Sequence, residues 1–311
     1  MKLKILISFL KKSIIVNKLR KQLALLIKIF EGQNKQIKKQ LHEYNMATDD
    51  YLSSKVESLS NINDLANRFE NLGLKVVRLK IDIQDFERWL NEFKEIMDFY
   101  KDYKDVSIEK PLEHYLTMKY LNISKKDIYI DIAACASPFA EIVEKNVGSK
   151  SFIQDLIFKK GINGNKIGGD AGDMPVPDNF ADVMTLHCAY ECFRGDSDIR
   201  FIKEAGRVLK TGGRLGIVPL YIDDVYFVKT GPKCDKRKIK VESEARWIWR
   251  DDQYDSGPFS RHYSPESFKN RIIDNIVGMN CELLFFTNLD ELSDRYEGQK
   301  IYCNFMFRVL K

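Results

Sequence analysis

Disulfides, metal knuckles and membrane spans are poorly provided for in this 311-residue chain. Its six cysteines, Cys135, Cys188, Cys192, Cys234, Cys281 and Cys303, form no CxxC pair and no disulfide framework, which points to a reducing cytoplasm. Cys188 and Cys192 lie four apart, but no second ligand pair accompanies them, so no metal site is expected. No apolar run reaches the ~20 residues that a membrane-spanning helix needs. The run from Ile5 to Leu10 is also too short for a signal peptide, and no small-residue cleavage site follows it.

Acids are missing from the first thirty residues, which hold eight Lys/Arg. Residues 1–48 carry +9 of a net +5, leaving −4 on the rest, so the body of the chain is not a nucleic-acid binder by charge. MKLKILISFLKKSIIVNKLRKQLALLIKIF reads as a basic amphipathic helix. Such a helix can lie on an anionic membrane surface, which would make the protein peripheral at the inner face of the membrane, or it can be a solvated lead into a helical bundle. Segment 1–48 is assigned to this helix.

Ile62, Phe69, Val76, Ile83, Leu90 and Met97 recur every seven residues, and Leu65, Leu72, Leu79, Phe86, Phe93 and Tyr100 follow three behind. The pattern predicts a coiled coil over 49–105, a rod of roughly 60 Å that would form a homo-oligomer, dimer or trimer. A long helix packed back on its own domain is the alternative, favoured at the C-terminal end by Trp89, Ile96 and Phe99. The next domain is placed at 106–311.

That domain alternates strands and helices. IYIDI is followed by a helix at 139–146, a strand ending at Asp155, a strand at 181–188, a helix at 198–209, a strand at 214–222, a Ser-Pro-started helix at 264–276 and a closing strand pair. This order predicts an α/β fold with a mostly parallel sheet and ligands at the carboxyl ends of its strands. The turn after the first strand, YIDIAACASPF at 129–139, holds no glycine, although a nucleotide-binding turn normally does.

With GDAGDMPVPDNFADVMTLHCAYECF and EAGRVLKTGGRLGIV, residues 120–311 resemble the class I S-adenosylmethionine-dependent methyltransferases. The resemblance implies a Rossmann-like fold with a seven-stranded sheet. It matches Asp131 to the acid that ends the first strand, and Ala133, Cys135 and Ser137 to the three glycine positions of the turn. It matches Asp155 to the ribose-binding acid of the second strand, and Asp170 and Ala171 to the adenine contacts. The implied cofactor is S-adenosylmethionine. Small side chains suffice at the turn if the backbone there needs closeness to a ligand more than a positive φ.

Methyl transfer to oxygen also needs a base. His187, at the end of the strand that faces the methyl group in this family, and Glu191, one helical turn on, are candidates; His262 is another. An insert at 223–260 and the residues after it bring Trp247, Trp249, Tyr254, Arg261, His262 and Tyr263. Trp247, Trp249, Arg261 and Tyr263 could cradle a sugar, or form a lid packed on the sheet. The expected function is O-methylation of a glycan or lipid-linked sugar, of the kind met in polysaccharide biosynthesis. A non-catalytic coiled-coil scaffold with a degenerate methyltransferase fold is the alternative.

Overall fold

The computed structural model describes residues 22–36 except 24 and 34, 59–135, 137–231, 234, 241–249 and 259–311. The chain divides into two compact units, Met1–Tyr51 and Leu52–Lys311. In the first, the described positions of 22–36 are helical, and Leu23, Leu25, Leu26, Ile27, Ile29 and Phe30 are all exposed. The remainder of the predicted basic helix, with the heptad approach at Leu52 and Val56, lies outside the described residues. No described helix is long and apolar enough to cross a membrane.

The second unit begins with the segment that carries the heptads, and it is not a rod. Helix α1 (Leu59–Asn71) ends at Gly73, whose φ of 86° supplies the left-handed cap that stops a helix. KVVRL then forms strand β1 (Lys75–Leu79), as its β-branched pair favours. Asp82 caps helix α2 (Ile83–Glu92) by accepting from the Asp85 amide, and α3 (Lys94–Tyr100) follows. The expected coiled coil is thereby corrected for residues 62–100. Their heptad positions are spent within the domain: Phe69 and Phe86 are fully buried, and β1 pairs in parallel with a later strand of the main sheet. Trp89 stacks on Phe93, with ring centres 4.9 Å apart.

After α4 (Glu109–Leu121), with Pro111 in its first turn, the expected alternation appears. The elements are β2 (Ile128–Ile132), α5 (Phe139–Val147), β3 (Lys150–Asp155), the hairpin β4 (Gly161–Asn163) and β5 (Lys166–Gly168), β6 (Ala181–His187), α6 (Ser197–Val208) and β7 (Leu209–Val218). The insert builds β8 (Phe227–Thr230), β9 (Arg246–Trp249) and β10 (Phe259–His262), which form a separate three-stranded sheet in the order β10-β8-β9. Then come α7 (Pro265–Arg271), started by a capping box at Ser264 and Ser267, β11 (Asn280–Phe286), α8 (Leu289–Arg295) and β12 (Phe305–Leu310).

The main sheet has nine strands, not seven, in the order β1-β11-β12-β7-β6-β2-β3-β5-β4. The two edge strands β1 and β4 are the additions. Pairing is parallel except at β11–β12, β12–β7 and β4–β5. From β2 the chain proceeds outward to β3 and returns to place β6 on the other flank of β2. The sheet therefore has its switch point between β2 and β6, where an open α/β sheet leaves a crevice at its carboxyl edge.

Candidate functional site

Three strand ends define the crevice. After β2 the backbone turns through Ala133 and Cys135, whose φ values are 52° and 48°. Both are left-handed, so this turn adopts the glycine-like conformation with side chains present, and the condition that closeness matters more than a positive φ is not met there. Cys188, just after β6, is left-handed too, at 45°. Such backbone persists only where the surroundings fix it. Here the Ala133 amide donates to Gln154 Oε1 at 3.2 Å, the Ala134 amide to the Gln154 carbonyl at 3.1 Å, and the Cys135 amide to Asp155 Oδ2 at 2.9 Å. Ser137 closes the turn by donating its amide to the Ala134 carbonyl at 2.8 Å.

Asp155 ends β3 and also accepts from the Ile157 amide at 3.1 Å. Asp170 accepts from Arg200 at 2.8 Å and from the Gly172 amide at 2.8 Å. A cavity of about 370 Å³ opens between these residues. Ala133, Gln154, Asp155, Leu156, Asp170 and Ala171 form one wall, and Cys192, Phe193, Arg194 and Ser197 the other. Four of the seven sequence-selected cofactor residues thus share one space, of a size suited to a nucleoside-bearing ligand. A larger cavity, about 650 Å³, lies near Asp224, Tyr226, Glu242, Arg246 and Asn270, away from the strand ends. The smaller one is the better candidate because it sits at the switch point.

Asp131 is not in that wall. It is buried, and its Oδ1 accepts from Thr185 at 3.0 Å and contacts His187 Nδ1 at 3.0 Å. His187 Nε2 lies 2.9 Å from Thr117 Oγ1 on α4. Both ring nitrogens of His187 are therefore engaged within the protein, one by a carboxylate and one by a hydroxyl. Its ring meets His114 edge-on, centres 4.4 Å apart.

Around His187 is a buried polar cluster that sequence reasoning missed apart from Glu191. Lys110 on α4 reaches Glu113 at 2.7 Å and the Tyr302 hydroxyl at 3.0 Å. Glu109 accepts from the Tyr302 amide at 3.0 Å. Cys188 Sγ lies 3.8 Å from Glu191 Oε1 and 3.7 Å from the Tyr221 hydroxyl, and Tyr221 stacks on Tyr302. Desolvation pushes Glu191 up to about 6 and raises Glu109 and Glu113 as well, against the pull of Lys110. It lowers His114 well below its usual range. No stripe along α4 marks Glu113, His114 and Thr117, which are buried together with its apolar residues.

The remaining selected residues separate. His262 stacks on Phe227 with ring centres 4.4 Å apart, and burial depresses its basicity. Arg261 and Tyr263 are corrected: they are fully buried and bind Asp198, at 2.9 Å and 2.6 Å, rather than lining an open cradle. Arg271 joins the same carboxylate, so this is an internal network that ties α6, β10 and α7 together. Trp247 is half-exposed, with its indole nitrogen donating to Thr230 at 2.7 Å, and Trp249 is beside it on β9. Tyr254 lies outside the described residues. Among the described residues no group of His, Cys, Asp and Glu could hold a metal.

Residues 130–217 match the family described as "Methyltransferase domain". No curated protein matches the chain significantly. Among solved structures, an S-adenosylmethionine-dependent methyltransferase from Mesorhizobium loti is 13% identical, covering 64% of this chain and 98% of its own, with a TM-score of 0.42. A complex of the Haloferax volcanii Trm112 methyltransferase activator with a candidate methyltransferase gives 13% identity, 70% and 96% coverage and a TM-score of 0.40. The Burkholderia thailandensis 1,6-didemethyltoxoflavin-N1-methyltransferase, solved with 1,6-didemethyltoxoflavin and S-adenosylhomocysteine, gives 9%, 72% and 84%, and 0.39.

Proposed function

We propose that this protein, through the methyltransferase domain matched at residues 130–217, transfers a methyl group from S-adenosylmethionine to a hydroxyl of a polar acceptor. The observation that carries the reading is the cavity at the switch point, with the Asp155 carboxylate at a strand end and a left-handed turn at Ala133 and Cys135 beside it. S-adenosylmethionine, when bound, supplies a methyl carbon on a cationic sulfur. Asp155 holds the ribose hydroxyls in this reading, and Asp170 and Ala171 face the adenine. A glycan or lipid-linked sugar suits an acceptor site rich in carboxylates. The exposed apolar face of helix 22–36 supports work close to an anionic membrane surface.

Calorimetric titration of the full chain with S-adenosylmethionine tests the reading. Binding is expected, and Asp155→Ala should weaken it at least about tenfold, the loss of roughly 1.5–3 kcal/mol for hydrogen bonds to a charged group. Part of that loss comes from the turn, because Asp155 also receives the Cys135 amide. Absence of binding to the full chain, or unchanged affinity in Asp155→Ala, would sink the assignment.

A further inference from the structure

Arg261 does more than pair with Asp198. Its guanidinium, fully buried, also donates to the backbone that follows β6. Nη1 reaches the Phe193 carbonyl at 2.6 Å, and Nη2 the Gly195 carbonyl at 2.9 Å. Arg271 Nη2 donates to the same Gly195 carbonyl. The two carbonyls bracket Arg194, and Cys192, Phe193, Arg194 and Ser197 are the wall that faces Asp155 across the smaller cavity. Local conformation alone does not fix that wall. Gly195 is left-handed, with a φ of 59°, and Asp196 starts α6 without a side-chain cap bond. Burying a guanidinium is costly unless it is paired and hydrogen-bonded; Asp198 at 2.9 Å and Glu242 at 3.0 Å supply the charges. Its planar fork of donors can serve both carboxylates and both carbonyls, which the point charge of a lysine cannot.

We propose that Arg261 is a positioning residue for the methyl donor: from β10, in the separate three-stranded sheet, it sets the wall of the cavity at residues 192–197. The inference rests on the reading that this cavity holds S-adenosylmethionine. Arg261 does not line the cavity, so it acts on a ligand only through the backbone it holds. Tyr263 donates to the same Asp198 at 2.6 Å but to none of residues 192–197. It therefore separates anchoring of the buried network from placement of the wall.

The test needs no acceptor. Full-length parent, Arg261→Lys and Tyr263→Phe are titrated calorimetrically with S-adenosylmethionine, and their unfolding midpoints are measured. Alkylation of Cys192, an exposed thiol in the wall, is followed without ligand by peptide mass. Arg261→Lys keeps a positive charge beside Asp198 but loses donors to the wall. It is expected to bind about tenfold more weakly, the scale of two neutral hydrogen bonds, and to alkylate Cys192 faster than the parent. Tyr263→Phe is expected to melt lower yet keep the parent's affinity and alkylation rate. Arg271→Gln removes the other donor to the Gly195 carbonyl from a less buried position and is expected to weaken binding about threefold. It decides the matter should Arg261→Lys not fold. Parent-like affinity in the folded arginine variant, or equal weakening in Tyr263→Phe, overturns the proposal while leaving the cofactor reading intact. If the parent protein binds no S-adenosylmethionine, the cofactor reading fails first and the proposal falls with it.

Discussion

The two flanks of the β2–β6 switch point handle charge in opposite ways. On the Asp155 flank the carboxylates are part-exposed and satisfied: Asp155 by two backbone amides, Asp170 by Arg200 and an amide. On the His187 flank Glu109, Glu113 and Glu191 are buried around one lysine, Lys110, which bonds Glu113 directly. The first flank is stable as it stands and can exchange one set of hydrogen bonds for another when a ligand arrives. The second holds three carboxyl groups where full ionisation is costly, so it keeps protons or requires donors. Polar satisfaction at the surface leaves Asp155 and Asp170 charged, whereas burial raises the carboxyls of the second flank.

Breaking the cation of the buried flank should show the largest effect. Lys110→Met leaves Glu109 and Glu113 without their counter-charge, and a buried pair broken on one side costs about 3–5 kcal/mol. Denaturant unfolding in alkaline buffer should reveal that loss, and it should shrink in acid, where the glutamates are protonated. Equal losses at both extremes would mean that Lys110 acts by packing alone.

Next in size is the pH response of Glu191, which is faced by Cys188, Cys192 and Lys110. Its carboxyl is raised from 4.5 to about 6 in the folded protein, so the folded state holds the extra proton. Stability from this group is highest below 4.5 and falls as pH rises through about 6, by about 2 kcal/mol in all. Glu191→Gln should remove that decline from thermal melts; a parallel pair of curves would place the titration elsewhere.

On the other flank smaller changes are expected. Ala133→Gly and Cys135→Gly release left-handed strain of about 1–2 kcal/mol while adding unfolded-state entropy of about 0.4–1 kcal/mol. A net gain of roughly 0.5–1 kcal/mol each should appear in urea midpoints, and destabilisation would show that the methyl or thiol packs usefully. Smallest of all, Arg200→Ala breaks a pair whose side chains are 38% and 42% exposed, so at most about 1 kcal/mol should be lost. A loss rivalling that of Lys110→Met would erase the contrast between the flanks.

Much of the Asp155 flank was readable along the chain, because its residues sit at successive strand ends and strands announce themselves locally. Asp155, Asp170 and Ala171 follow in order, and they do share a cavity. Asp131 was legible as a strand-end acid, yet its burial against Thr185 and His187 depends on how β2 and β6 pair. The His187 flank joins residues 109–114, 187–191, 221 and 302, which no local pattern connects. Arg261 and Tyr263 looked like a ligand cradle because Arg and aromatic residues serve equally well on a surface and in a satisfied buried network; Asp198, 63 residues upstream of Arg261, decides which.

By itself the sequence determined the strand–helix alternation of residues 128–218, the strand-end acids and the capped helix after Ser264, since dihedral preference, capping and hydrophobic period act over a few neighbouring residues. Tertiary structure decided what the seven-residue repeat of 62–100 meant. A repeat specifies which side chains are apolar, not what will cover them, and Gly73 and the Val76–Val77 pair let the segment fold into helix, strand and helix. The edge of β11 then offered β1 a row of backbone partners, and the domain core buried Phe69 and Phe86. Burial of that kind is set by what lies across the fold, and so is the upward shift of the Glu113 and Glu191 carboxyls.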